Sequence, residues 1–197
     1  MYNPAHHHRR SIRLKGYDYT QAGFYFITIC CQDRARLFGK IIDGKMILND
    51  AGKMTEKWYY EIAYKFPGKK CHAMVIMPDH FHCIIETVTG KPGPLSGGDP
   101  DPGEHAGRGE HVGRGEHVGW DEHVGRGEHV GSPLGRAVQW FKTMSTNEYI
   151  RGVKNLGWAP FNGKLWQRNY YEHIIRNTAS YERISKYIID NPKKWRG

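Results

Sequence analysis

His80 and His82 stand two residues apart in Met77-Pro78-Asp79-His80-Phe81-His82-Cys83-Ile84-Ile85, within a run of strand-forming residues. In a β-strand, residues i and i+2 project to one face. The two imidazoles therefore lie side by side while Phe81 enters the opposite layer. Two imidazoles at that spacing can take adjacent positions on one divalent metal ion and leave its other positions for substrate oxygens. A plain strand with two half-exposed histidines would carry the same tripeptide, so the rest of the chain has to discriminate.

A second candidate group lies near the end of the chain. Thr178 or Ser180 opens a predicted helix that ends before Pro192. At 100° per residue, Tyr181, Ile184 and Ile188 form one apolar stripe, and Tyr187 and Asn191 are i, i+4 neighbours at its edge. If that helix lies over the histidine pair, Asn191 could supply a third metal ligand and Tyr187 could reach a substrate phosphorus. Otherwise Tyr187 is a half-buried amphipathic aromatic and Asn191 a helix C-cap ahead of the proline.

The elements that would position these groups can be read from apolar spacing and turn residues. Tyr25 to Cys31 reads as a buried strand, and Leu37 to Leu48, with the Asp43-Gly44 turn, as a hairpin. Asn49 or Asp50 caps a helix to about Phe66, closed by Pro67-Gly68. His72 to Pro78 and His80 to Val88 form two strands joined at Pro78-Asp79. Ser132-Pro133 opens a second long helix to about Ile150, with Val138, Phe141, Met144 and Ser145 along one face. Leu165 to Ile175 reads as a fourth long strand before the last helix. The order β-α-β-β-α-β plus a terminal helix predicts an α+β fold, a ferredoxin-like sandwich with an antiparallel sheet.

Between the third strand and the second long helix the composition changes. Residues 89–131 are rich in Gly and Pro and carry a six-residue repeat beginning at Glu104, Glu110, Glu116, Glu122 and Glu128. Each copy has one small apolar residue and too much glycine to build a solenoid layer, which predicts a disordered linker. The chain thus divides into residues 1–88, a linker, and residues 132–197, the two outer parts forming one domain.

With 197 residues, a net charge of +9 and 12 Tyr, 6 Trp and 7 Phe, the composition suits a polyanion whose bases can stack. His6, His7, His8, Arg9, Arg10, Arg13 and Lys15 make a basic N-terminal arm. There is no apolar run of spanning length and no signal-peptide pattern, so no membrane partner is expected and the protein reads as soluble and intracellular. The four cysteines form no CxxC pair, which argues against structural zinc and for buried thiols.

Three blocks carry a resemblance: Val75 to His82, Trp166 to Asn177, and Tyr187-Ile188-Ile189-Asp190-Asn191-Pro192. Together with Arg13-Leu14-Lys15-Gly16-Tyr17-Asp18-Tyr19, they resemble the HUH single-stranded DNA endonucleases, and within them the REP-associated tyrosine transposases. The resemblance implies that His80, His82 and Asn191 hold Mg²⁺ or Mn²⁺ and that Tyr187 is the nucleophile, forming a 5′-phosphotyrosine link and a free 3′-hydroxyl. Free tyrosine has a pKa near 10, so a cation on the scissile phosphate is needed to favour the phenolate. Many insertion-sequence relatives carry glutamine at the third ligand position, so Asn191 departs from them but agrees with the REP-associated group. The implied partner is single-stranded DNA bearing a hairpin, bound by a monomer or homodimer in the nucleoid-associated cytoplasm of a prokaryote. Arg9, Arg10, Arg13 and Lys15 would contact that DNA, and Arg176 would be a phosphate anchor or a helix-sheet brace. Tyr170 and Tyr171 are rival tyrosines read as structural or base-stacking, and Glu172 and His173 as spare polar groups near the site. A non-catalytic nucleic-acid-binding module and a small relaxase or replication-initiator nuclease are the competing readings.

Overall fold

The structure is a computed structural model that describes residues 21–88 and 132–196. The basic arm and the six-residue repeats lie outside them. Six strands and three α-helices follow in the order β1 (Gly23–Cys30), β2 (Gly39–Ile42), β3 (Lys45–Leu48), α1 (Asp50–Lys65), β4 (Lys69–Ile76), β5 (His80–Thr87), α2 (Pro133–Leu156), β6 (Tyr171–Ile175) and α3 (Thr178–Lys194). The main sheet runs β4-β5-β1-β6 and every neighbouring pair is antiparallel. With β2 and β3 set aside as their own hairpin, this is the ferredoxin-like βαββαβ arrangement expected from the sequence.

Strand alternation divides the interior into two layers. Tyr25, Ile27 and Ile29 of β1 and Phe81, Cys83 and Ile85 of β5 face α1 and α2, where they join Met54, Tyr59, Ile62, Val138 and Phe141. Phe26, Ile84 and Ile175 face the other way and are covered by Tyr181, Ile184 and Ile188 of α3. Phe81 is fully buried, with its ring 5.3 Å from Phe141 and 5.3 Å from Tyr59. Burying such a side chain stabilises the fold by about 2–3 kcal/mol. A one-residue slip of β5 would turn Phe81 out of this layer. The packing of Phe81 therefore holds His80 and His82 on the α3 face.

Local chemistry explains most element ends. The Asn49 side chain accepts a hydrogen bond from the Gly52 amide at the start of α1, and Ser132 does the same for Gly135 at the start of α2. Asn177, rather than Thr178 or Ser180, caps α3 by accepting from the Ser180 amide. A β-bulge between Cys71 and Met74 is bridged by Tyr59, whose hydroxyl accepts from the His72 amide at 2.9 Å and donates to the Ile84 carbonyl at 2.7 Å.

Four boundaries differ from the sequence expectation. β4 begins at Lys69, three residues before His72. Helix α2 continues past Ile150 to Leu156 because Tyr149 and Gly152 remain buried, and it ends where Gly157 turns left-handed at φ 70°. Gly152 has to be glycine, since a Cβ there would lie 2.2 Å from the Trp158 ring. The fourth strand is confined to Tyr171–Ile175. Residues 165–170 leave the sheet after a bridge from Trp166 to Cys31, and Lys142 donates from α2 to the Gln167 and Arg168 carbonyls at 2.7 and 2.9 Å. Finally, α3 runs through Pro192 to Lys194, with Asn191 and Pro192 both buried. In the last turn the missing proline N–H costs a single helical hydrogen bond, and the helix stops two residues later.

Candidate active site

Pro78-Asp79 turns the chain from β4 into β5, and His80 and His82 follow on the α3 face, both buried. Their Nε2 atoms are 3.1 Å apart. The other nitrogen of each ring is tied down: His80 Nδ1 lies 2.5 Å from Asp79 Oδ1, and His82 Nδ1 lies 2.7 Å from Thr28 Oγ1. Phe26 stacks on the His82 ring at 5.4 Å. Fixing Nδ1 in this way fixes ring orientation and leaves Nε2 as the outward nitrogen, which is the usual support for a metal-binding histidine.

Two nitrogens at adjacent corners of an octahedron with bonds of about 2.1 Å would be about 3.0 Å apart. The observed 3.1 Å fits that arrangement. Without a cation, the pair is satisfied if Thr28 donates to His82 Nδ1 and His82 Nε2–H donates to His80 Nε2. With one, His82 can carry its proton on Nδ1 and donate to Thr28 instead. A hydroxyl serves both cases because it is donor and acceptor.

Burial holds both imidazoles in the neutral form that a metal ligand requires. It pushes the His82 pKa down to about 3, aided by the neighbouring His80 and by Arg34. His80 is also lowered by burial, with the Asp79 carboxylate working against the shift. Asp79 is itself within 3.6 Å of the Arg34 guanidinium. Arg34 and the preceding Asp33 both take positive φ, 54° and 55°, in the short turn after β1. That backbone conformation is uncommon for non-glycine residues.

Helix α3 crosses this face along its length. Tyr187 places its ring 5.4 Å from His82 and 6.1 Å from Phe26, while remaining 42% exposed. Two turns later, Trp195 lies 5.7 Å from His80. Asn191 falls one turn from each, buried, on the part of the helix that spans the pair. Among the described residues no group of three His, Cys, Asp or Glu side chains could hold a metal ion. A third protein ligand here would have to be of another type, and Asn191 is the buried amide of this stretch of α3.

No family model matches the chain. A protein of Haemophilus influenzae, described as uncharacterized, is 38% identical over 197 residues, a match covering 98% of this chain and 93% of that one. The two chains belong to one family. In fold, this family member is similar to a REP-associated tyrosine transposase solved bound to a REP hairpin, with TM-score 0.48 and 19% identity over 95% of this chain and 73% of that one. A protein of Deinococcus radiodurans described as a transposase gives TM-score 0.43 and 15% identity over 91% and 96%.

The remaining sequence candidates are distributed as follows. Tyr170, just before β6, packs on the main core, and Tyr171, opposite Thr28, is 51% exposed on the histidine face. Glu172 is bonded by Tyr170 at 3.3 Å and belongs to the opposite face from the histidine pair, so it is not near the site; His173 is on the same face and exposed. Arg176 is exposed at the far end of the sheet face, before α3. Arg9, Arg10, Arg13 and Lys15 lie outside the described residues. The sequence reading missed Thr28, Phe26, Asp79 and Trp195 as parts of the site. Asp79 was detectable from its place beside His80. The role of Thr28 depends on its pairing opposite His82, which the sequence does not state. No described helix is long and apolar enough to cross a membrane.

Proposed function

We propose that this protein is a metal-dependent nuclease and strand transferase of the transposase type, acting on single-stranded DNA through Tyr187. The observation that carries the reading is the meeting of a partly exposed tyrosine on α3 with two histidines whose Nε2 atoms converge. A non-catalytic binding module has no use for that constellation.

His80, His82 and Asn191 would hold Mg²⁺ or Mn²⁺, which when bound withdraws charge from a scissile phosphate and stabilises the departing 3′-oxygen. Asp79 and Thr28 keep the imidazoles oriented, and burial keeps them neutral. Phe26 and Trp195 exclude water from the ring faces. Tyr187 Oη attacks phosphorus, the bond to the 3′-oxygen breaks, and the proton lost by the phenol balances the one taken up by the 3′-hydroxyl. The product is a 5′-phosphotyrosine ester. It keeps one phosphodiester for one phosphodiester, so attack by a second 3′-hydroxyl can rejoin strands without ATP.

The experiment is a search for the covalent product. Protein, Mn²⁺ and a labelled hairpin-bearing single strand should give an adduct that survives denaturation and carries DNA on Tyr187. Retained DNA binding with no adduct would leave a binding module instead.

A further inference from the structure

We infer that the cavity at the start of α3 binds one unpaired nucleotide of the strand whose phosphate Tyr187 would attack, an inference that rests on the proposed function. The cavity has a volume of about 570 Å³ and lies among Phe24, His72, Ile174, Arg176, Thr178 and Tyr181. That is within the range of about 300–1,000 Å³ typical of small-ligand sites.

Its aromatic walls are held by one another. Phe24 meets His72 edge-on at 5.2 Å and Tyr181 at 5.1 Å. Tyr181 Oη lies 3.1 Å from His72 Nδ1, and His72 Nε2 lies 2.8 Å from Glu86 Oε2. Rings fixed in this way lose little freedom when a ligand arrives. Aromatic faces accept any base by stacking, and an exposed guanidinium such as Arg176 supplies the charge that a phosphate needs. The one carboxylate in the chain of contacts, Glu86, is already engaged by His72 and lies 4.0 Å from Lys70.

The cavity is joined to the site by open surface. Helix α3 packs chiefly on β4 and covers Phe26 and Ile175, while Tyr171 and His173 of β6 stay exposed on the same face. Tyr171 is level with Thr28 and His82 across the sheet, and β6 then runs to Ile175 at the cavity wall. Four strand residues span about 13 Å, the reach of about two nucleotides of an extended single strand. A strand with its phosphate at Tyr187 can therefore set a base two or three nucleotides away into the cavity.

The test uses the full chain and a hairpin-bearing single strand in which an abasic site is placed at each position in turn, with binding measured in EDTA so that no cleavage intervenes. One position, two or three nucleotides from the bond that Mn²⁺-dependent adduct formation marks, should weaken binding about tenfold when abasic. Arg176→Gln and Tyr181→Leu, each matched to the parent protein by thermal melting, should bind the intact strand more weakly and lose that positional effect. Uniform sensitivity at all positions, or a positional loss that persists in both variants, overturns the inference. Adduct formation without a sensitive position overturns the cavity alone. A sensitive position without an adduct supports the cavity and overturns the cleavage reading.

Discussion

Thr28 Oγ1 lies 2.7 Å from His82 Nδ1, reaching across from β1 to β5 over a sequence separation of 54 residues. The hydroxyl fixes the ring whose Nε2 faces His80, so its removal should be felt at the proposed metal site as well as in the fold. Thr28→Val keeps the branched shape that suits a strand. Mn²⁺ affinity, measured by titration calorimetry, should fall about 10- to 100-fold, the metal-free protein should lose about 1–3 kcal/mol because His82 Nδ1 is left without its partner, and Thr28→Ser should restore much of both. Equal Mn²⁺ binding by the Val variant would show that Thr28 is only a neighbour.

Removing the proposed ligands themselves separates chemistry from binding. His80→Ala and His82→Ala should each abolish adduct formation, and EDTA should do the same for the parent protein. DNA binding should persist in both variants and stay salt-sensitive, because Lys and Arg supply it. Full cleavage by either variant, or in EDTA, refutes the metal mechanism.

Tyr187→Phe removes only the phenolic oxygen and retains the ring against Phe26 and His82. The ring is 42% exposed, so the lost hydroxyl should cost less than about 1 kcal/mol of stability by denaturant titration. Cleavage should fall to background. An adduct that survives in the Phe variant but disappears in Tyr171→Phe would move the nucleophile to β6.

Much of this arrangement was legible because it depends on periodicity. Alternation alone puts His80 and His82 on one face and Phe81 on the other, and the i, i+4 relation alone groups Tyr187 with Asn191. What was not legible depends on pairing between distant segments. Thr28 meets His82 only through the β1–β5 register. Residues 165–170 look like strand, with Leu165, Trp166 and Tyr170, yet their carbonyls are taken by Lys142 of α2. Pro192 reads as a helix stop, but burial of Asn191 and Pro192 against the sheet carries α3 a further two residues. The same burial places Asn191 inside the helix rather than at its cap.

The buried histidines predict an acid limit to stability in the metal-free protein. His82 has a folded pKa of about 3 against an ordinary 6.5, and His80 is shifted in the same direction. Between those values the unfolded chain binds more protons than the folded one, so stability rises with pH across the window. Their contribution is complete above about pH 6.5 and is lost progressively as the pH falls towards 3. Urea titrations in EDTA should show a decline of order a few kcal/mol over that range, reduced in His82→Gln. A parent protein as stable at pH 4.5 as at pH 7, with no difference from the variant, would contradict the neutral buried pair.

The form of the substrate provides the last prediction. Tyr187 and the histidine pair face one another between α3 and the sheet, with ring centroids of Tyr187 and His82 only 5.4 Å apart. A phosphate attacked by Tyr187 Oη beside the histidine pair has to be approached from the helix side and the sheet side together. A duplex presents it beside a complementary strand in a stiff stack, and extracting a nucleotide costs a few kcal/mol per base. An unpaired strand meets no such cost and can bend at the phosphate. With equal sequence and salt, single strands should therefore be cut at least 100-fold faster than fully paired linear duplex, since about 2.7 kcal/mol corresponds to that ratio. Gel assays of adduct formation on the two substrates measure it directly. Efficient cutting of duplex, with single strands left intact, would refute the proposed function.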